Sequence, residues 1–516
     1  MKPLRQFAVY AVLLALFLMA PPAHAADPDA EAQARQVWGQ SRAAYAGLSL
    51  MEKLQQNNKL QEAKELGEAL QKQFPEDGPI WAQSAYLLFM LQDFKGAQNA
   101  FEQALKATTW TDEQRRNLAQ GLANSASAAG DNSAALAALE PLSQARDVAS
   151  RLQYGRAQLA AKDRRAAVAT ARAILAMATT VGEREDGEHL LQDALVAIYD
   201  PRGDKELNRG YAYLRQGDDE NGLAAFNRGF AYGSGKGFHY ADAAYAAKRL
   251  NLNEVASAYF KFALDLDEYE RTFSPQRVYG FQREVEGLDR HWGVLIGTPY
   301  HAGALDVWQG GVEAFWQPPV IGNRDGRIFQ LFMRTYENFR NGLSGPIGLK
   351  TLQTTLGVRY KPLASQNIVL TAERLFAIGR ESLNDWLFRV GYSTGDGTDL
   401  RVDKLNWTSW QIYAEIAYYL FDKHLLVGTE VRYGITWPVP RFHRLTLYPH
   451  ALVAVEFDSA AEGPLVNALG PGLSMRLWFG EDRYHAPPGW LEIHANYRFA
   501  DVERARGPAL RATLSF

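Results

Sequence analysis

Residues 506–516, RGPALRATLSF, alternate between apolar and polar side chains up to the last position. One face carries Leu510, Ala512, Leu514 and Phe516, and the other carries Arg511, Thr513 and Ser515. A period of two is typical of a β-strand whose two faces meet different surroundings. Because the last residues of many domains fray, a strand that reaches the final residue favours a sheet that pairs this end, as a closed barrel does.

The same alternation recurs through the second half of the chain. It is clearest in LQTTLGVRY (352–360), WLFRVGY (386–392), WQIYAEIAYYL (410–420), LSMRLWF (473–479) and WLEIHANYRF (490–499). Segments of about ten residues with one apolar face, one charged face and aromatic ends are characteristic of outer-membrane β-barrels. Nine of the twelve tryptophans follow residue 285, which sets the predicted start of this part. We predict an antiparallel transmembrane β-barrel of about twelve strands over residues 285–516, surrounded by outer-membrane lipid.

A soluble β-sandwich is the alternative to the barrel, because its strands also alternate, with the charged face in water. The length of the strands, the aromatic residues near their ends and the final aromatic residue favour the barrel. The end of the chain also resembles the tag that the barrel-assembly machinery reads. We therefore predict Leu514 and Phe516 as an assembly signal and that machinery as a partner.

The charged face of these strands predicts what lines the lumen. The lumen candidates are Arg359, Glu373, Arg389, Tyr413, Glu415, Glu430, Arg432, Arg476, Trp478, Glu492 and Arg498. A lining of both signs does not concentrate one type of ion, whereas aromatic and hydrogen-bonding groups suit a neutral or weakly charged sugar chain. Salt-bridge ladders that fill the lumen are the alternative, since twelve strands lie between the filled and the open barrel sizes.

The first half of the chain predicts a helical repeat. Ala63, Gly67 and Leu70 correspond to Ala97, Phe101 and Ala104, and Gly210, Gly222, Phe226 and Gly229 correspond to Ala244, Ala256, Phe260 and Ala263. Each pair is 34 residues apart, which is the tetratricopeptide period. We predict a tetratricopeptide-like α-solenoid of about five to six helical pairs over residues 26–280. Such arcs bind other proteins on the concave face, and a helical spacer is the alternative.

Residues 1–25, MKPLRQFAVYAVLLALFLMAPPAHA, predict a cleaved signal peptide. The basic start, the apolar run from Phe7 to Ala20 and the A-x-A pattern at Ala23–Ala25 carry this prediction. A single membrane anchor is the alternative, but the run is shorter than the roughly 20 apolar residues that a spanning helix needs. The predicted location is the outer membrane of a Gram-negative cell, with the helical domain in the periplasm.

Composition and motifs argue against several classes of function. The 516 residues carry a net charge of −3 and no cysteine, so we expect no nucleic-acid partner, disulfide or thiolate metal site. Catalytic signatures such as G-x-S-x-G and H-E-x-x-H are missing from the sequence. GSGKG (233–237) lacks the context of a phosphate loop, and GDGTD (395–399) is typical of a hairpin turn. We predict no catalytic residue, cofactor or metal, and expect His494 to be a solvated lumen residue.

A family resemblance is carried by ALGPGLSMRLWFGEDRYHAPPGWLEIHANYRF (468–499) and RARGPALRATLSF (504–516), with WFGEDRYHAP (478–487) as its most specific part. These segments resemble the C-terminal domain of the outer-membrane phage adsorption protein A (NfrA) family. The resemblance covers the last quarter to third of the chain. It implies an outer-membrane protein with helical repeats before a barrel. It also implies phage reception and a link to export of a surface glycan made by an inner-membrane glycosyltransferase.

Three functions follow from these expectations. The first is exopolysaccharide export, in which the periplasmic helices recruit the glycosyltransferase or guide the polysaccharide and the barrel conducts it outward. The second is a non-conducting surface receptor or scaffold that binds phage or another partner. The third, a barrel enzyme, is disfavoured because no histidine has an assignable nucleophile beside it.

Overall fold

The computed structural model of the protein describes residues 27–107, 110–301, 307–341, 345–439, 441–461 and 463–516. The predicted signal peptide, residues 1–25, lies outside the described residues. By its internal contacts the chain divides into two compact units, Met1–Val196 and Ala197–Phe516. The helices continue to Asp289 and the strands begin at Trp292, so the structure changes later than the predicted limits of 280 and 285.

The described part of the first unit is helical throughout. Its helices are α1 Pro28–Ser41, α2 Ala44–Gln56, α3 Leu60–Gln73, α4 Gly78–Met90, α5 Phe94–Lys106, α6 Asp112–Ala128, α7 Asn132–Leu139, α8 Val148–Ala160, α9 Arg164–Met177 and α10 Val181–Leu195. The second unit begins with α11 Pro201–Arg215, α12 Asp219–Ala231, α13 Gly237–Arg249, α14 Asn253–Glu270 and α15 Pro275–Asp289. Among the described residues, none of these helices combines the length and apolar composition that a membrane span requires.

The turns between paired helices share one chemistry. Gly130, Lys162 and Gly217 have φ of 83°, 65° and 75°, and each stands directly before an aspartate. The carboxylate of that aspartate accepts a hydrogen bond from a backbone N–H in the first turn of the next helix. A left-handed residue ends one helix and an N-cap begins the next, which allows a tight antiparallel reversal.

Small residues lie where paired helices approach each other. A Cβ added to Gly121 would stand 2.4 Å from the ring of Phe101, and one added to Gly210 would stand 3.2 Å from the ring of Phe226. Phe101, Phe226 and Phe260 are almost completely buried. The tetratricopeptide-like solenoid is therefore confirmed, with aromatic residues filling the space that small residues leave.

The predicted number of five to six helical pairs is too low. The described residues hold fifteen α-helices, and five of them lie between 112 and 195. The 34-residue spacing is weak there because α7 is short and a 3₁₀ turn, Glu140–Gln144, follows it. The helices persist because each still has an N-cap and an apolar face to bury.

We expect the second unit to be sensitive to acid because of His239 in α13. Its Nδ1 accepts a hydrogen bond from the backbone N–H of Lys236 at 3.0 Å, and burial together with the Lys236 charge lowers its pKa from 6.5 to about 4. A lowered pKa contributes stability that is complete above pH 6.5 and is lost as the pH falls towards 4. We expect His239→Gln, which keeps a side-chain acceptor, to flatten the fall in melting temperature between pH 7 and 4.5. An unchanged slope would contradict this assignment.

The strands of the second unit form one antiparallel sheet. They are β1 Trp292–His301, β2 Val307–Trp316, β3 Arg327–Asn341, β4 Gln353–Lys361, β5 Asn367–Ala377, β6 Trp386–Asp396, β7 Trp407–Tyr419, β8 His424–Val439, β9 Phe442–Asp458, β10 Leu465–Phe479, β11 Gly489–Ala500 and β12 Gly507–Ser515. A two-residue strand, Asn323–Arg324, also pairs with the start of β3. Each main strand pairs with the next one along the chain.

The last strand closes the sheet, as its alternation predicts. β12 pairs with β1 from Leu295 and Ser515 to His301 and Ala509. Val294 and Phe516 exchange both backbone hydrogen bonds, at 2.7 and 3.0 Å. Over the described residues this makes a closed barrel of twelve strands, and the predicted fold class is confirmed.

The two faces of the barrel differ as expected for a membrane protein. On β10, Leu469, Leu473 and Leu477 point outward and are 59, 46 and 42% exposed, whereas Ser474 and Trp478 point inward and are 4 and 6% exposed. A continuous band of exposed apolar side chains is costly in water and stable in lipid. The lipid-facing band, together with closure, excludes the sandwich alternative.

The barrel has a helix end and a far end. We define the helix end by the connections 317–326, 362–366, 397–406, 440–441 and 480–488, and the far end by 302–306, 342–352, 378–385, 420–423, 459–464 and 501–506. The short turns LASQN (363–367) and FDKH (421–424) lie at opposite ends, so short connections occur at both ends of the barrel.

Candidate functional site in the barrel lumen

The structure places every predicted lumen residue on the inward face of the barrel. Those residues are Arg359, Glu373, Arg389, Tyr413, Glu415, Glu430, Arg432, Arg476, Trp478, Glu492 and Arg498. Strand register brings them into rows, because directly opposed residues point to the same side. Arg359 lies opposite Thr371, which lies opposite Arg389, and Arg476 lies opposite Glu492.

One continuous ladder of ion pairs crosses the inner wall from β2 to β7. The ladder consists of Arg359, Glu313, Arg334, Glu373, Arg389 and Glu415. Arg359 and Arg334 both bind Glu313, at 3.0 and 2.6 Å. Glu373, 1% exposed, lies 3.6 Å from Arg334 and 2.9 Å from Arg389, and Arg389 also binds Glu415 at 3.1 Å. Three positive and three negative charges therefore neutralise one another.

Two members of this ladder were missed in the sequence analysis. Glu313 and Arg334 each stand between residues whose side chains face lipid, such as Val312 and Met333, which are 47 and 50% exposed. The alternation in VWQGGVEAFW (307–316) and RIFQLFMRTYENFRN (327–341) contains the signal that finds them.

The remaining predicted charges pair on the other side of the lumen. Arg476 donates from Nε to Glu492 at 2.8 Å, and Arg511 lies 3.9 Å from the same carboxylate. Further pairs join Arg432 to Glu430 and Arg498 to Glu456, at 2.5 and 2.7 Å. The arrangement is that of the salt-bridge ladders weighed as an alternative to an open sugar channel.

Two histidines face each other inside the barrel. The Nε2 atoms of His450 and His494 are 3.2 Å apart, and Nδ1 of His450 lies 2.9 Å from the carbonyl oxygen of Tyr448. Gly434 and Gly472 flank His450, and a Cβ on Gly472 would stand 2.4 Å from Nε2 of His450. His494 is 4% exposed, so the expectation of a solvated residue is wrong. Within the described residues, no three His, Cys, Asp or Glu side chains are grouped so as to hold a metal.

Apolar side chains occupy the lumen near the far end. Leu375, Leu387 and Ala417 are at most 2% exposed and form one cluster with Tyr419 and Leu426. A second cluster contains the inward residues Leu452, Ala454, Val466, Ala468 and Ala500, covered by Val502 and Ala505 of the 501–506 connection. Alternation predicts which side chains point inward but not how far along the lumen they lie. This apolar layer was therefore not predicted.

At the helix end, α15 covers part of the lumen. Tyr279 packs with Trp407 and Trp478 of the barrel and donates a hydrogen bond from its hydroxyl to Asp399 at 2.9 Å. Arg283 donates to both carboxylate oxygens of Asp399, at 2.9 and 3.1 Å. Burial, and then the Asp399 charge, raise the pKa of Tyr279. Asp399 ends the GDGTD segment, which opens the 397–406 connection and is not a tight hairpin turn.

The 480–488 connection binds the same helices. Arg483 and the Tyr484 hydroxyl both donate to Asp265 of α14, at 3.0 and 2.9 Å. His485 places Nδ1 2.9 Å from Asp482 and Nε2 3.1 Å from Asp289 of α15. Burial alone would raise the pKa of Asp289, but hydrogen bonds, that from His485 among them, outweigh it and lower the pKa.

This connection lies within a segment that matches a known family. Residues 344–512 match the family model described as Bacteriophage N adsorption protein A C-term. These residues are similar to the C-terminal domain of the NfrA family. The match begins in the connection before β4 and ends within β12, so the helices and β1–β3 lie outside it.

Other comparisons add little to this match. A search of curated proteins found no matching sequence. Among solved structures, the tetratricopeptide protein YrrB is 16% identical over 40% of this chain and 93% of its own, with a TM-score of 0.25. The COG4313 outer membrane channel from Pseudomonas putida F1 is 10% identical over 44% and 94%, with a TM-score of 0.27. The APC/C Cut9-Hcn1 hetero-tetramer is 14% identical over 47% of this chain and 43% of its own, with a TM-score of 0.23. With TM-scores below 0.5, these similarities do not bear on function.

The segment WFGEDRYHAP (478–487), which carries the resemblance in the sequence, contacts the helices. It contains Trp478, Arg483, Tyr484 and His485, and each of these contacts α14 or α15 or packs beside them. This segment therefore joins the barrel to the helices before it.

Proposed function

We propose that the protein is an outer-membrane anchor for a periplasmic helical-repeat scaffold that serves in the export of a surface exopolysaccharide. The contacts of the barrel with α14 and α15 at the helix end, which we call the joint, carry this proposal. Asp399 accepts hydrogen bonds from Tyr279 and Arg283 of α15, while the 480–488 connection binds α14 and α15. A barrel that only tethered its helices through a linker would not need several charged hydrogen bonds at this point.

The lumen supports an anchor more than an open conduit. Ion-pair ladders span its middle, and apolar clusters around Leu375 and Leu452 narrow it near the far end. Hydrophobic constrictions in a pore exclude water and ions. In this proposal, the barrel fastens the scaffold to the membrane without conducting.

The role in export rests on the NfrA domain and on the helices that precede it. In this proposal, the helices recruit an inner-membrane glycosyltransferase or its polysaccharide, and the barrel-assembly machinery inserts the barrel through Leu514 and Phe516. Phage adsorption is the function in the family's name, and a receptor of that type is the alternative to the export role. The proposal includes no catalytic step, cofactor or nucleic-acid partner.

The first test measures glycan release in cells that carry only a variant copy of the gene. Arg483→Ala with Tyr484→Phe weakens the joint to Asp265, and we expect release to fall several-fold while the barrel still assembles. The control is Arg444→Ala, because Arg444 pairs with Glu481 of the barrel itself and not with a helix. Heat-modifiable migration on gels checks assembly. Unchanged release from a folded, loosened variant would contradict a scaffold role.

The second test measures conductance of the full-length protein in planar bilayers. The ion-pair ladders and apolar clusters of the lumen predict insertion without steady conductance. A stable conductance of the unmodified protein would contradict the anchor and support a conduit.

Deletion of the gene tests both functions that the family suggests. If the cells keep wild-type phage sensitivity and normal glycan release, both functions are contradicted.

A further inference from the structure

A cavity of about 370 Å³ lies in the lumen beside the ion-pair ladder. We call it the vestibule and define it by Asn367, Thr371, Arg389, Ser393, Tyr413 and Glu415. Its volume falls in the lower part of the range of roughly 300–1,000 Å³ that is usual for small-molecule sites. The vestibule is large enough for a short piece of an extended chain.

The vestibule is open at the helix end and closed towards the far end. Along the inward face of β5, Asn367 is exposed, Val369 and Thr371 are half-buried, and Glu373 and Leu375 are 1 and 0% exposed. The cluster of Leu375, Leu387 and Ala417 lies beyond Glu373, towards the far end. A blind cavity that opens towards the helices retains a ligand and does not pass it through.

The charges that border the vestibule are already in ion pairs. Arg389 binds both Glu373 and Glu415, and Arg359 binds both Glu313 and Gln330, with Nη1 of Arg359 3.1 Å from the amide oxygen of Gln330. An anionic ligand would have to break such pairs and desolvate a carboxylate, which is costly in a partly buried site. The vestibule therefore suits a ligand without net charge.

The uncharged groups of the vestibule match a polyhydroxyl ligand. Tyr413 is 41% exposed, and its hydroxyl is held by Glu415 at 2.6 Å, so the ring face is presented to the cavity. Asn367 and Ser393 are hydrogen-bonded to each other beside the opening, and Thr371 adds a hydroxyl deeper inside. An aromatic face combined with amide and hydroxyl groups contacts both the C–H and the O–H groups of a sugar.

We infer that the vestibule is a binding site for a neutral oligosaccharide segment, entered from the helix end. The inference rests on the proposed function in one respect, since it names the class of polymer that the export role would concern. The full-length protein in nanodiscs is titrated with three neutral hexasaccharides (maltohexaose, cellohexaose and chitohexaose) and with the anionic hexagalacturonate. At least one neutral hexamer should bind more tightly than the anionic one.

Tyr413→Leu should weaken that binding about tenfold, because it removes the aromatic face. Tyr418→Leu on the same strand is the matched control, since Tyr418 faces lipid and its loss should leave affinity unchanged. Thr371→Val is a second, smaller change in the cavity and covers the case in which Tyr413→Leu does not fold. The inference would be overturned if none of the three neutral hexamers bound or if the anionic hexamer bound more tightly. It would also be overturned if both vestibule variants bound with the affinity of the wild type.

The result is separable from the export proposal. If the vestibule variants lose binding but release normal amounts of glycan, the site stands and its link to export fails. If binding is absent while joint variants still lower release, the scaffold role stands and the site is overturned.

Discussion

Replacing Glu373 with glutamine should destabilise the barrel by about 3 kcal/mol, which is the lower part of the range for breaking a buried ion pair. Glu373 is 1% exposed and lies between Arg389 at 2.9 Å and Arg334 at 3.6 Å. Glutamine keeps the shape and removes the charge, so both guanidinium groups lose a counter-charge inside the lumen. Arg389 retains Glu415, which keeps the loss below that of a fully isolated charge.

Urea unfolding in detergent micelles, followed by tryptophan fluorescence, measures this change. Glu381→Gln is the matched control, because Glu381 pairs with Arg380 in an exposed connection, where their side chains are 45 and 70% exposed. Exposed pairs contribute about 0–1 kcal/mol, so the control should unfold nearly as the wild type does. Equal free energies of unfolding for the two variants would mean that the ladder is hydrated and adds little to stability.

The barrel could be predicted because its two faces meet two solvents. Along LSMRLWF (473–479), every second side chain meets lipid and must be apolar, while Ser474, Arg476 and Trp478 face the lumen. This contrast can be detected in a single sequence, because a shift of the strand register by one residue would turn every lipid-facing side chain towards the lumen. The inward positions followed from the same rule.

Depth along the lumen could not be predicted from alternation. Leu375 and Arg389 are both inward, yet one closes the lumen and the other lines the vestibule. Which inward residues meet each other depends on strand tilt and register, which a period of two does not encode. His494 was misjudged for the same reason, because its burial comes from His450 on a strand that is not its neighbour.

The contacts of the joint could not be predicted from the sequence either. Tyr279 and Asp399 are 120 residues apart, and Arg483 and Asp265 are 218 apart. Each residue is ordinary in its own segment: a helix, a turn or a connection. The resemblance of WFGEDRYHAP to the NfrA family marked this segment as distinctive without indicating its partner.

Replacing Arg283 with alanine should loosen the joint between α15 and the barrel about a hundredfold in equilibrium constant. Arg283 donates to Asp399, to the Tyr279 hydroxyl at 2.6 Å and to the carbonyl oxygen of Pro487 at 3.0 Å. Hydrogen bonds to charged groups contribute about 1.5–3 kcal/mol each, and about 1.4 kcal/mol corresponds to a factor of ten. Because Tyr279 keeps its own bond to Asp399, we expect a loosened joint and an intact barrel.

A cysteine pair at Gln276 and Val402 reports the state of the joint, because the backbone N–H of Val402 donates to the Gln276 side chain at 2.9 Å and the chain contains no other cysteine. A short bismaleimide should cross-link the pair efficiently in the wild-type background and poorly with Arg283→Ala. Arg277→Ala is the control, since Arg277 lies on the same helix and stacks on Phe273 and Phe281. If both variants cross-link as the wild type does, the apolar contacts of Tyr279 with Trp478 hold the joint by themselves, and the charged bonds to Asp399 serve only to orient it.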